Sequence, residues 1–532
     1  MSKLTKYAII IAVVFGAIYA SFGLLSPQIW NSPDETAVAF FAKNMAYTGK
    51  LWRPEAYNLF QTDTVHPRSI LSLDGYLVPG SFYGAIMFFG LFYKLIGPTA
   101  YALGTPLLTV LAAFGVFFAM RRLCDERIAF FAEILFLANP IVWYFASRGL
   151  YPNLIFVDLA IIGMTMLYLE PWQKMMRGRG NAILGMLIDN TAGMFVLGIA
   201  FLVRPVEFIW LFPIAIAIIL VGRKKIYWPR YIVWGVIGGA FFGALLFTNI
   251  HLYGGPFSSG YSVGSTMPGI SVPAAATTSR LPQIISAPRP FVLPFGFHPR
   301  LALTNLWNYL VAFSWWLPVL AAIGYLLTKD RSNRRLFGRG FVFTLAILGI
   351  YYGSGIFNDS SVSQWTIGSS YLRYFLPAFV LLVPLAAFGV ERVSRRGRWV
   401  APAVLAVFIG LGVWTVYFRS PESLVPMHAT LDRYTTIKAY VLKETQQESV
   451  IVTERSDKVF FPERRVVLNL RDKATLDQLP RLSVHGLYYY GITIAENELP
   501  KINKELGDRG LQLGRIKSFD NETLYGITKI AK

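Results

Sequence analysis

The sequence is poor in cysteine, in histidine and in charged residues. Cys124 is its single cysteine, which excludes an intrachain disulfide and a metal site built from several thiolates. Five histidines occur, and no two have the spacing of metal ligands, so a divalent metal cofactor is left open without support from spacing. Charged residues make up 15% of the chain, against about 25% in a soluble globular protein. These shortages exclude a disulfide framework and argue against a water-soluble protein.

Apolar residues are abundant instead. They make up 54% of the 532 residues, and the mean hydropathy is +0.47. They cluster in windows long enough to cross a bilayer, which takes about 20 residues as a helix. Eleven windows are predicted as spans: 7–25, 101–120, 128–146, 154–170, 183–202, 206–221, 231–249, 306–327, 340–357, 372–391 and 399–418. The predicted fold class is an α-helical polytopic membrane protein.

The basic residues follow these spans. The chain has a net charge of +20, which could suggest nucleic-acid binding, but most charges lie in short clusters between apolar windows. With the N-terminus inside, 21 Lys and Arg fall in the inner connections, whereas the short outer ones carry Arg148 and Arg204, with Arg373 at the mouth of a span. This bias predicts a multi-pass protein of the cell membrane with a cytoplasmic N-terminus and an extracytoplasmic C-terminus, and no nucleic-acid partner.

Three outer segments are too long to be simple connections: 26–100, 250–305 and 419–532. The last has a soluble composition and alternating helix and strand patterns, which predict a small extracytoplasmic α/β domain after a transmembrane domain at 1–418. Within the first, Phe82–Ile96 is too short for a span and is predicted as an interfacial or re-entrant helix on the outer leaflet.

An acidic pair stands directly after the first span. Asp34 and Glu35 follow Asn31-Ser32-Pro33 and precede an amphipathic stretch, Thr36–Thr48. On local grounds these acids fit a helix N-terminus, where an N-cap and first-turn carboxylates complement the helix dipole. Their position at the predicted outer membrane surface also suits catalysis, and both interpretations stay open at this point.

Few ionisable residues lie at predicted membrane depth, where an unpaired charge costs several kcal/mol. Arg204 and Glu207 stand three residues apart in a tight turn and are interpreted as a structural ion pair. Glu133 and Asp189 lie near inner ends of spans, where arginines of the inner loops could pair with them. Asp158 lies deeper, and no span carries charges at the helical spacing that a proton relay needs.

The order of motifs over 1–420 resembles that of the polytopic glycosyltransferases of the GT-C superfamily, in particular the branch of the protein O-mannosyltransferases and the aminoarabinose transferases. In that branch one span is followed by an acidic pair, a surface helix and a His-Pro or Pro-Pro segment. The matching features are Asp34-Glu35, His66-Pro67-Arg68, Asn139-Pro140, Ser147-Arg148, Leu202-Val203-Arg204-Pro205, Gly254-Gly255-Pro256-Phe257 to Gly260-Tyr261, and Leu372-Arg373-Tyr374. Their order, rather than any single motif, carries the resemblance.

The resemblance implies transfer of a sugar from a polyprenyl-phosphate donor to an acceptor protein, lipid or glycan at the outer face, with mannose favoured. Asp34 is similar to the family's catalytic base, with Glu35 assisting or orienting it. Arg373 and Tyr374 match the family's Arg-Tyr and would bind the donor phosphate, with Arg68 and His66 as further candidates. Membrane lipids would be further partners. One carboxylate suffices for an inverting displacement, because the acceptor takes the place of the water used by inverting hydrolases.

A secondary set of candidates is implied less directly: Arg148, Asn153, Asp158, Arg204 and Tyr261. Asn153 stands where many relatives have an acid, which puts a metal site in doubt, and Asp158 could substitute for it. Each arginine could instead extend its charge to lipid headgroups.

Two other functions were weighed. A transporter or flippase of a lipid-linked saccharide would need a polar path across the membrane, whereas the charges gather at its two faces. A protein that only anchors its terminal domain would need a single span. The terminal domain has no catalytic residue assigned to it.

Overall fold

The computed structural model describes residues 2–59, 63–177, 181–212, 228–264, 293, 295–328, 331–355 and 366–530. Two compact units divide the chain, and each consists of three segments. The first unit contains Met1–Leu25, Tyr101–Ala244 and Pro273–Met427. The second contains Ser26–Ala100, Leu245–Val272 and His428–Lys532. The second unit therefore combines the first long outer segment with the C-terminal segment.

The first unit is built from helices. They are Lys3–Leu25, most of Ala100–Leu123, Glu126–Leu137, Pro140–Arg148, Pro152–Leu169, Pro171–Arg177, Ala182–Val203, the first part of Trp228–Tyr253, Pro299–Asn305 continued by the π-helix Leu306–Ala312, Trp316–Leu327, Arg331–Tyr351, Ser370–Tyr374, Leu376–Ser394 and Val400–Tyr417, with a 3-10 turn at Pro205–Glu207. Side chains cap several of these helices. Asn139, for example, precedes the helix Pro140–Arg148, and its side chain accepts a hydrogen bond from the amide of Ile141.

Within the described residues, seven helices are long and apolar enough to cross a membrane. Two bent helix pairs, Glu126–Leu137 with Pro140–Arg148 at 54° and Pro299–Ala312 with Trp316–Leu327 at 87°, bring the number to nine if each pair is one span. The polytopic helical fold class is thereby confirmed. Much of the predicted span at 206–221 lies outside the described residues, and the one at 340–357 corresponds in part to the helix Arg331–Tyr351.

The second unit begins with the helix Pro33–Thr48, which packs against the helix Gly84–Ile96. Between them lie the short helix Ala56–Leu59 and a sheet of three antiparallel strands, β1 (Arg53–Pro54), β2 (Ile70–Leu73) and β3 (Tyr76–Pro79), in the order β1-β3-β2. The β2–β3 hairpin turns at Asp74-Gly75, where both residues have positive φ, as a two-residue type I′ turn requires. This sheet has no counterpart in the predicted elements.

The terminal segment forms a five-stranded mixed sheet of β4 (Val450–Thr453), β5 (Arg465–Leu468), β6 (Leu487–Ile492), β7 (Leu511–Phe519) and β8 (Glu522–Lys529), in the order β5-β4-β6-β8-β7. Its helices are Leu424–Glu444, Asp457–Phe460, Lys473–Leu482 and Leu499–Gly507. The sequence patterns predict strands near Val450–Thr453, Val466–Leu470, Leu487–Ile492, Leu511–Ser518 and Thr523–Ile530, and helices near Thr430–Lys443 and Glu496–Leu506. The observed elements agree within a few residues, except that the first helix begins earlier, at Leu424. The small α/β architecture of this segment is confirmed.

The outer segment also completes this terminal sheet. The backbone of Val65 pairs with Val467 on the edge strand β5, and Val65 is buried in the apolar core under the sheet. The side chain of Asn58 fixes this strand-like segment by donating to the carbonyl of Val65 and accepting from its amide. A covered edge strand is protected from pairing with other chains. The segments 26–100 and 428–532 therefore share one core, and the predicted domain limits at 418 and 419 stay a prediction.

Candidate active site

The acidic pair lies at the N-terminus of the helix Pro33–Thr48. Pro33 occupies the first turn, where its missing N–H costs nothing. The side chain of Ser32 caps the helix, and the amide of Ser32 donates to Oε2 of Glu35 at 3.2 Å. This reciprocal pair is a capping box, and Glu35 is fully buried in it. Glu35 therefore has the role at the helix N-terminus that its local sequence predicts. Its role in assisting Asp34 stays a prediction.

Asp34 is half-buried and points to a different partner. Its Oδ1 accepts a hydrogen bond from the hydroxyl of Ser69 at 2.7 Å. Ser69 has φ +60°, a left-handed conformation that is costly for a residue with a β-carbon. The backbone carbonyl of Ser69 accepts from the amide of Gly80, which ties this strained residue to the end of β3. The turn at Ser69 therefore presents its hydroxyl to the carboxylate at position 34.

The terminal segment binds two residues close in sequence to Ser69 and Asp34, which are Arg68 and Asn31. Arg68 donates to the carboxylate of Asp457 through its amide at 2.8 Å, Nε at 2.9 Å and Nη2 at 2.6 Å. Lys458 donates to the carbonyl and to Oδ1 of Asn31, the latter at 3.0 Å. Arg68 is thus engaged in an ion pair with a fully buried carboxylate, and its predicted role at the donor phosphate gains no support.

His66 and Tyr261 complete the candidates in the second unit. His66 is half-buried, with Nδ1 at 3.1 Å from the carbonyl oxygen of Pro67. Burial lowers the pKa of His66, so this side chain is neutral at pH 7. Tyr261 is 46% exposed, and its ring contacts that of Phe82 with centroids 5.2 Å apart.

The first unit brings three predicted arginines together. The guanidinium of Arg148 lies 5.6 Å from the ring centroid of Tyr151, and that of Arg373 lies 5.2 Å from the same ring. On the other side, Arg373 lies 5.4 Å and Arg204 5.3 Å from the ring of Tyr374. We call these five residues the arginine–tyrosine cluster. Cations and rings alternate in it, and each contact lies within the range of a cation–π interaction.

Helix ends place these arginines. Arg148 and Arg373 stand in the last turns of their helices, and Arg204 caps a third, where a positive charge complements the helix dipole. The helix that carries Arg148 ends at Gly149, with φ +80°, and a β-carbon there would meet the carbonyl oxygen of Tyr101 at 2.7 Å. Glycine is therefore required at 149 for the turn that brings Tyr151 beside Arg148.

Hydrogen bonds hold the side chains of the cluster in place. Arg204 forms the predicted ion pair with Glu207 at 3.0 Å, and its Nη2 donates to the hydroxyl of Tyr352 at 3.0 Å. Tyr352 in turn donates to Glu207 and stacks on Tyr374 with ring centroids 4.6 Å apart. Arg373 donates to Ser370 at 2.6 Å. The side chain of Arg204 is 6% exposed, so its orientation is fixed.

The cluster and Glu207 together carry three positive charges and one negative. An arrangement of arginines with a net charge of +2 in surroundings of low dielectric constant attracts an anion, and phosphate or carboxylate suits the fork of donors on each guanidinium. The rings of Tyr151 and Tyr374 keep the arginines apart and desolvated without neutralising them. The cluster therefore has the positive charge and the hydrogen-bond donors that a phosphate group requires.

The other candidates in the first unit are buried. Asn153 is 5% exposed in the first turn of the helix Pro152–Leu169. Asp158 is fully buried on the same helix, where Thr109 donates to its Oδ2 at 2.6 Å; its Oδ1 has no hydrogen-bond partner among the described residues. Its burial and its bond to Thr109 fit a structural side chain.

Asp189 and Glu133, two acids predicted at membrane depth, are not paired with the arginines that the sequence suggested among the described residues. Asp189 accepts hydrogen bonds from the amides of Trp172 and Gln173, at 3.1 and 2.8 Å, and so caps the helix Pro171–Arg177. Glu133 is fully buried, and its carboxylate has no hydrogen-bond partner in the part of the chain that the structure describes. In that part, no group of three or more His, Cys, Asp or Glu could hold a metal ion.

Sequence reasoning missed several residues that build these sites. Ser69, Asp457 and Lys458 belong to no motif, because only the fold brings Ser69 to Asp34, Asp457 to Arg68 and Lys458 to Asn31. Tyr151 and Tyr352 likewise belong to no matched motif, although Tyr151 stands between Ser147-Arg148 and Asn153 in the sequence. Their contacts depend on packing between segments far apart in sequence.

No protein-family model matches the sequence, and no curated protein matches it either. Solved structures do resemble it. ArnT from Cupriavidus metallidurans in the apo state matches over 99% of this chain and 98% of its own, with a TM-score of 0.59 and 12% identity. The same protein bound to undecaprenyl phosphate matches over 98% and 97%, with a TM-score of 0.56 and 12% identity. The apo oligosaccharyltransferase of Archaeoglobus fulgidus matches over 99% of this chain and 75% of its own, with a TM-score of 0.50 and 11% identity.

These similarities extend over nearly the whole chain, including the terminal segment. At 11–12% identity they show the fold. The chain shares the fold of these ArnT and oligosaccharyltransferase structures, and the fold implied by the order of sequence motifs is confirmed. The similarity defines neither of the two candidate sites, because fold does not determine the residues that act.

Proposed function

We propose that the protein is a membrane glycosyltransferase that uses a polyprenyl-phosphate-linked sugar as donor. The observation that carries this proposal is the arginine–tyrosine cluster, in which three guanidinium groups lie within cation–π distance of two rings, in a chain with a GT-C fold. The similar ArnT binds undecaprenyl phosphate, which makes a polyprenyl phosphate the preferred donor carrier. The carboxylate of Asp34 at a helix N-terminus supplies the second chemical function that transfer requires.

In the proposed reaction, Asp34 accepts the proton of an acceptor hydroxyl. The freed oxygen forms a bond to the anomeric carbon of the sugar as the bond from that carbon to the phosphate oxygen breaks. The electron pair of the broken bond leaves with the polyprenyl phosphate, so negative charge develops on the phosphate group. A direct displacement of this kind inverts the anomeric configuration.

The arginine–tyrosine cluster stabilises that developing charge. Arg373 is its central member, because it contacts both rings, and Arg148 and Arg204 flank it. Oriented guanidinium groups in a site of low dielectric constant stabilise a leaving phosphate more than water does. The proposal places the reaction at the outer face, following the charge bias of the loops, and takes mannose as the first sugar to test.

The experiment is Asp34→Asn in purified protein reconstituted in lipid. A panel of radiolabelled polyprenyl-phosphate sugars, mannose first, is supplied with membrane extract as a source of acceptors, and consumption of donor is measured. We expect wild-type protein to consume one donor and Asp34→Asn to consume it about 100-fold to 10,000-fold more slowly, the range for loss of a general base.

Asp74→Asn is the matched control. Asp74 is an acid of the same outer segment, and its φ of +51° is a conformation that Asn adopts readily. This variant should keep the wild-type rate. If wild-type protein consumes no donor of the panel, or if Asp34→Asn consumes it at the wild-type rate, the proposal is wrong. Movement of labelled lipid across the bilayer without consumption would support a flippase instead.

A further inference from the structure

Two consecutive residues of the terminal α/β segment bind the outer segment on both sides of Asp34 in the sequence, at Asn31 and at Arg68. Asp457 and Lys458 form the start of the short helix Asp457–Phe460, directly after β4 and its following turn. Asp457 accepts three hydrogen bonds from Arg68, and Lys458 donates two to Asn31. Both partners lie close to Asp34: Asn31 precedes its helix cap, and Arg68 precedes the serine that donates to it.

These contacts fix the two stretches of backbone that determine where the carboxylate of Asp34 points. The segment Asn31–Ser32 sets the start of the helix that carries Asp34. The segment Arg68–Ser69 supplies the hydroxyl that holds its Oδ1. Because the amide of Arg68 is itself a donor to Asp457, the interaction fixes the backbone next to Ser69 as well as the side chain. Asp457 is fully buried and Arg68 is partly buried, so salt screens this ion pair less than it screens an exposed one.

The conformation of Ser69 explains why such a hold is needed. A residue with a β-carbon at φ +60° is strained and relaxes toward negative φ unless its neighbours prevent it. The amide of Gly80 donates a hydrogen bond to the carbonyl of Ser69 and holds it on one side. On the other side, the ion pair with Asp457 holds Arg68, the residue that precedes Ser69. Relaxation at Ser69 would turn its hydroxyl away from Asp34.

We propose that Asp457 and Lys458 are positioning residues, through which the terminal segment holds Asp34 in its reactive orientation. The inference rests on the proposed function, in which Asp34 is the base. It assigns a catalytic support role to a segment that carries no catalytic residue itself. Displacement of a reacting group by about 1 Å can cost about 100-fold in rate, so loss of this hold should be visible in turnover.

The chain offers a matched control. Arg465 of β5 donates to Glu55 of the outer segment at 2.7 Å and also contacts Glu448. This ion pair joins the same two segments as Arg68 with Asp457, but Glu55 has no contact with the residues that hold Asp34 among the hydrogen bonds of the described chain. Glu55→Gln therefore weakens the attachment of the terminal segment without acting on Asp34.

The test compares Asp457→Asn, Lys458→Met and Glu55→Gln for turnover of the donor. For the first two we expect kcat about tenfold to 100-fold lower with the KM for donor within about twofold of wild type. Glu55→Gln should keep both values. Lys458→Arg retains a donor for Asn31 and should recover most of the rate. Lys458→Met covers the case in which Asp457→Asn does not fold, since Lys458 is not a buried charge.

A double variant tests the route of the effect. Ser69→Ala keeps the β-carbon and the backbone strain at position 69 but removes the hydroxyl that donates to Asp34. As a single substitution it should therefore lower kcat. If Asp457 acts through Ser69, the double variant Asp457→Asn with Ser69→Ala is about as slow as the slower single variant. If the two substitutions multiply their effects on kcat in the double variant, or if Glu55→Gln loses as much kcat as Asp457→Asn, Asp457 contributes only to the attachment of the terminal segment. Either result would overturn the inference.

Hydrogen exchange separates this inference from the proposed function. In Asp457→Asn and Lys458→Met, amides at 31–36 and 67–70 should exchange faster than in Glu55→Gln, whereas those of β4, β6 and β8 should be unchanged. Unchanged exchange at 31–36 and 67–70 overturns the inference whatever the activity. If the wild-type protein turns over no donor while these amides respond as expected, the proposed function fails and the hold on Asp34 stands.

Discussion

The two candidate sites, one in each unit, differ in how their charged groups are held. Asp34 in the second unit belongs to a local helix start, and the hydroxyl of Ser69 donates to its carboxylate. Arg373 in the first unit contacts the ring of Tyr374, its neighbour in the chain, and that of Tyr151, which comes from a segment far away in sequence. A helix start orients a carboxylate through local backbone geometry, whereas a cluster of cations forms only when distant segments pack together.

The two candidate sites are also stabilised differently. The acidic site depends on hydrogen bonds within the second unit, several of them between the outer and terminal segments. The basic site depends on helix ends and aromatic packing within the first unit, where Glu207 forms an ion pair with Arg204. Substitutions should therefore separate chemistry from donor binding according to the unit in which they fall.

The largest effect on binding is expected for Arg373→Gln. Removing the central guanidinium should weaken the binding of undecaprenyl phosphate about tenfold to 100-fold, because hydrogen bonds between charged groups contribute about 1.5–3 kcal/mol. The measurement is equilibrium binding of radiolabelled undecaprenyl phosphate to protein in nanodiscs. Arg398→Gln, which removes an arginine lying over Trp399, is the control and should bind as wild type. If Arg373→Gln binds undecaprenyl phosphate as tightly as the wild type, the phosphate does not bind at the cluster.

A smaller effect distinguishes the two acids of the pair. Gln can replace Glu in a capping box, so Glu35→Gln should keep donor turnover within about threefold of wild type. Glu35→Ala should lower the free energy of unfolding by about 1 kcal/mol through loss of the cap interaction. Thermal unfolding followed by circular dichroism and a turnover assay check both. A loss of turnover in Glu35→Gln as large as that in Asp34→Asn would give Glu35 a catalytic role.

The smallest effect concerns His66. Burial lowers its pKa in the folded protein, while the nearby carboxylates of Asp457 and Asp63 oppose the shift in part. Its contribution to stability is therefore complete above the unfolded value of about 6.5 and is lost as the pH falls below it. His66→Gln should flatten the fall of Tm between about pH 7.5 and about pH 5.5. An unchanged pH slope would show that His66 is not a buried neutral group.

Local motifs made the acidic site predictable from sequence. Ser32, Pro33 and Glu35 form a helix start whose spacing is fixed by backbone geometry, so the helix Pro33–Thr48 could be foreseen. The loop charges and apolar windows likewise predicted the polytopic class. The strands of the terminal segment were predicted from their alternation, but the sheet of β1, β2 and β3 was not.

Long-range contacts could not be predicted in this way. Arg148, Arg204 and Arg373 were candidates because they lie on the predicted outer side and belong to the motifs that carry the resemblance, but the rings that connect them could not be predicted. The engagement of Arg68 by Asp457 joins residues nearly 400 positions apart, and no periodicity records it. Sequence patterns encode local structure, whereas side-chain partners across the fold depend on packing.

The central claim is that Asp34 acts in the chemical step while the arginine–tyrosine cluster binds the donor. The most direct measurement is a paired one on Asp34→Asn and Arg373→Gln: the rate of donor consumption at saturating donor, and the Kd for undecaprenyl phosphate. The account predicts that Asp34→Asn loses rate at least about 100-fold with an unchanged Kd, whereas Arg373→Gln weakens the Kd. A wild-type rate in Asp34→Asn, or a loss of binding in it equal to that in Arg373→Gln, would contradict the account.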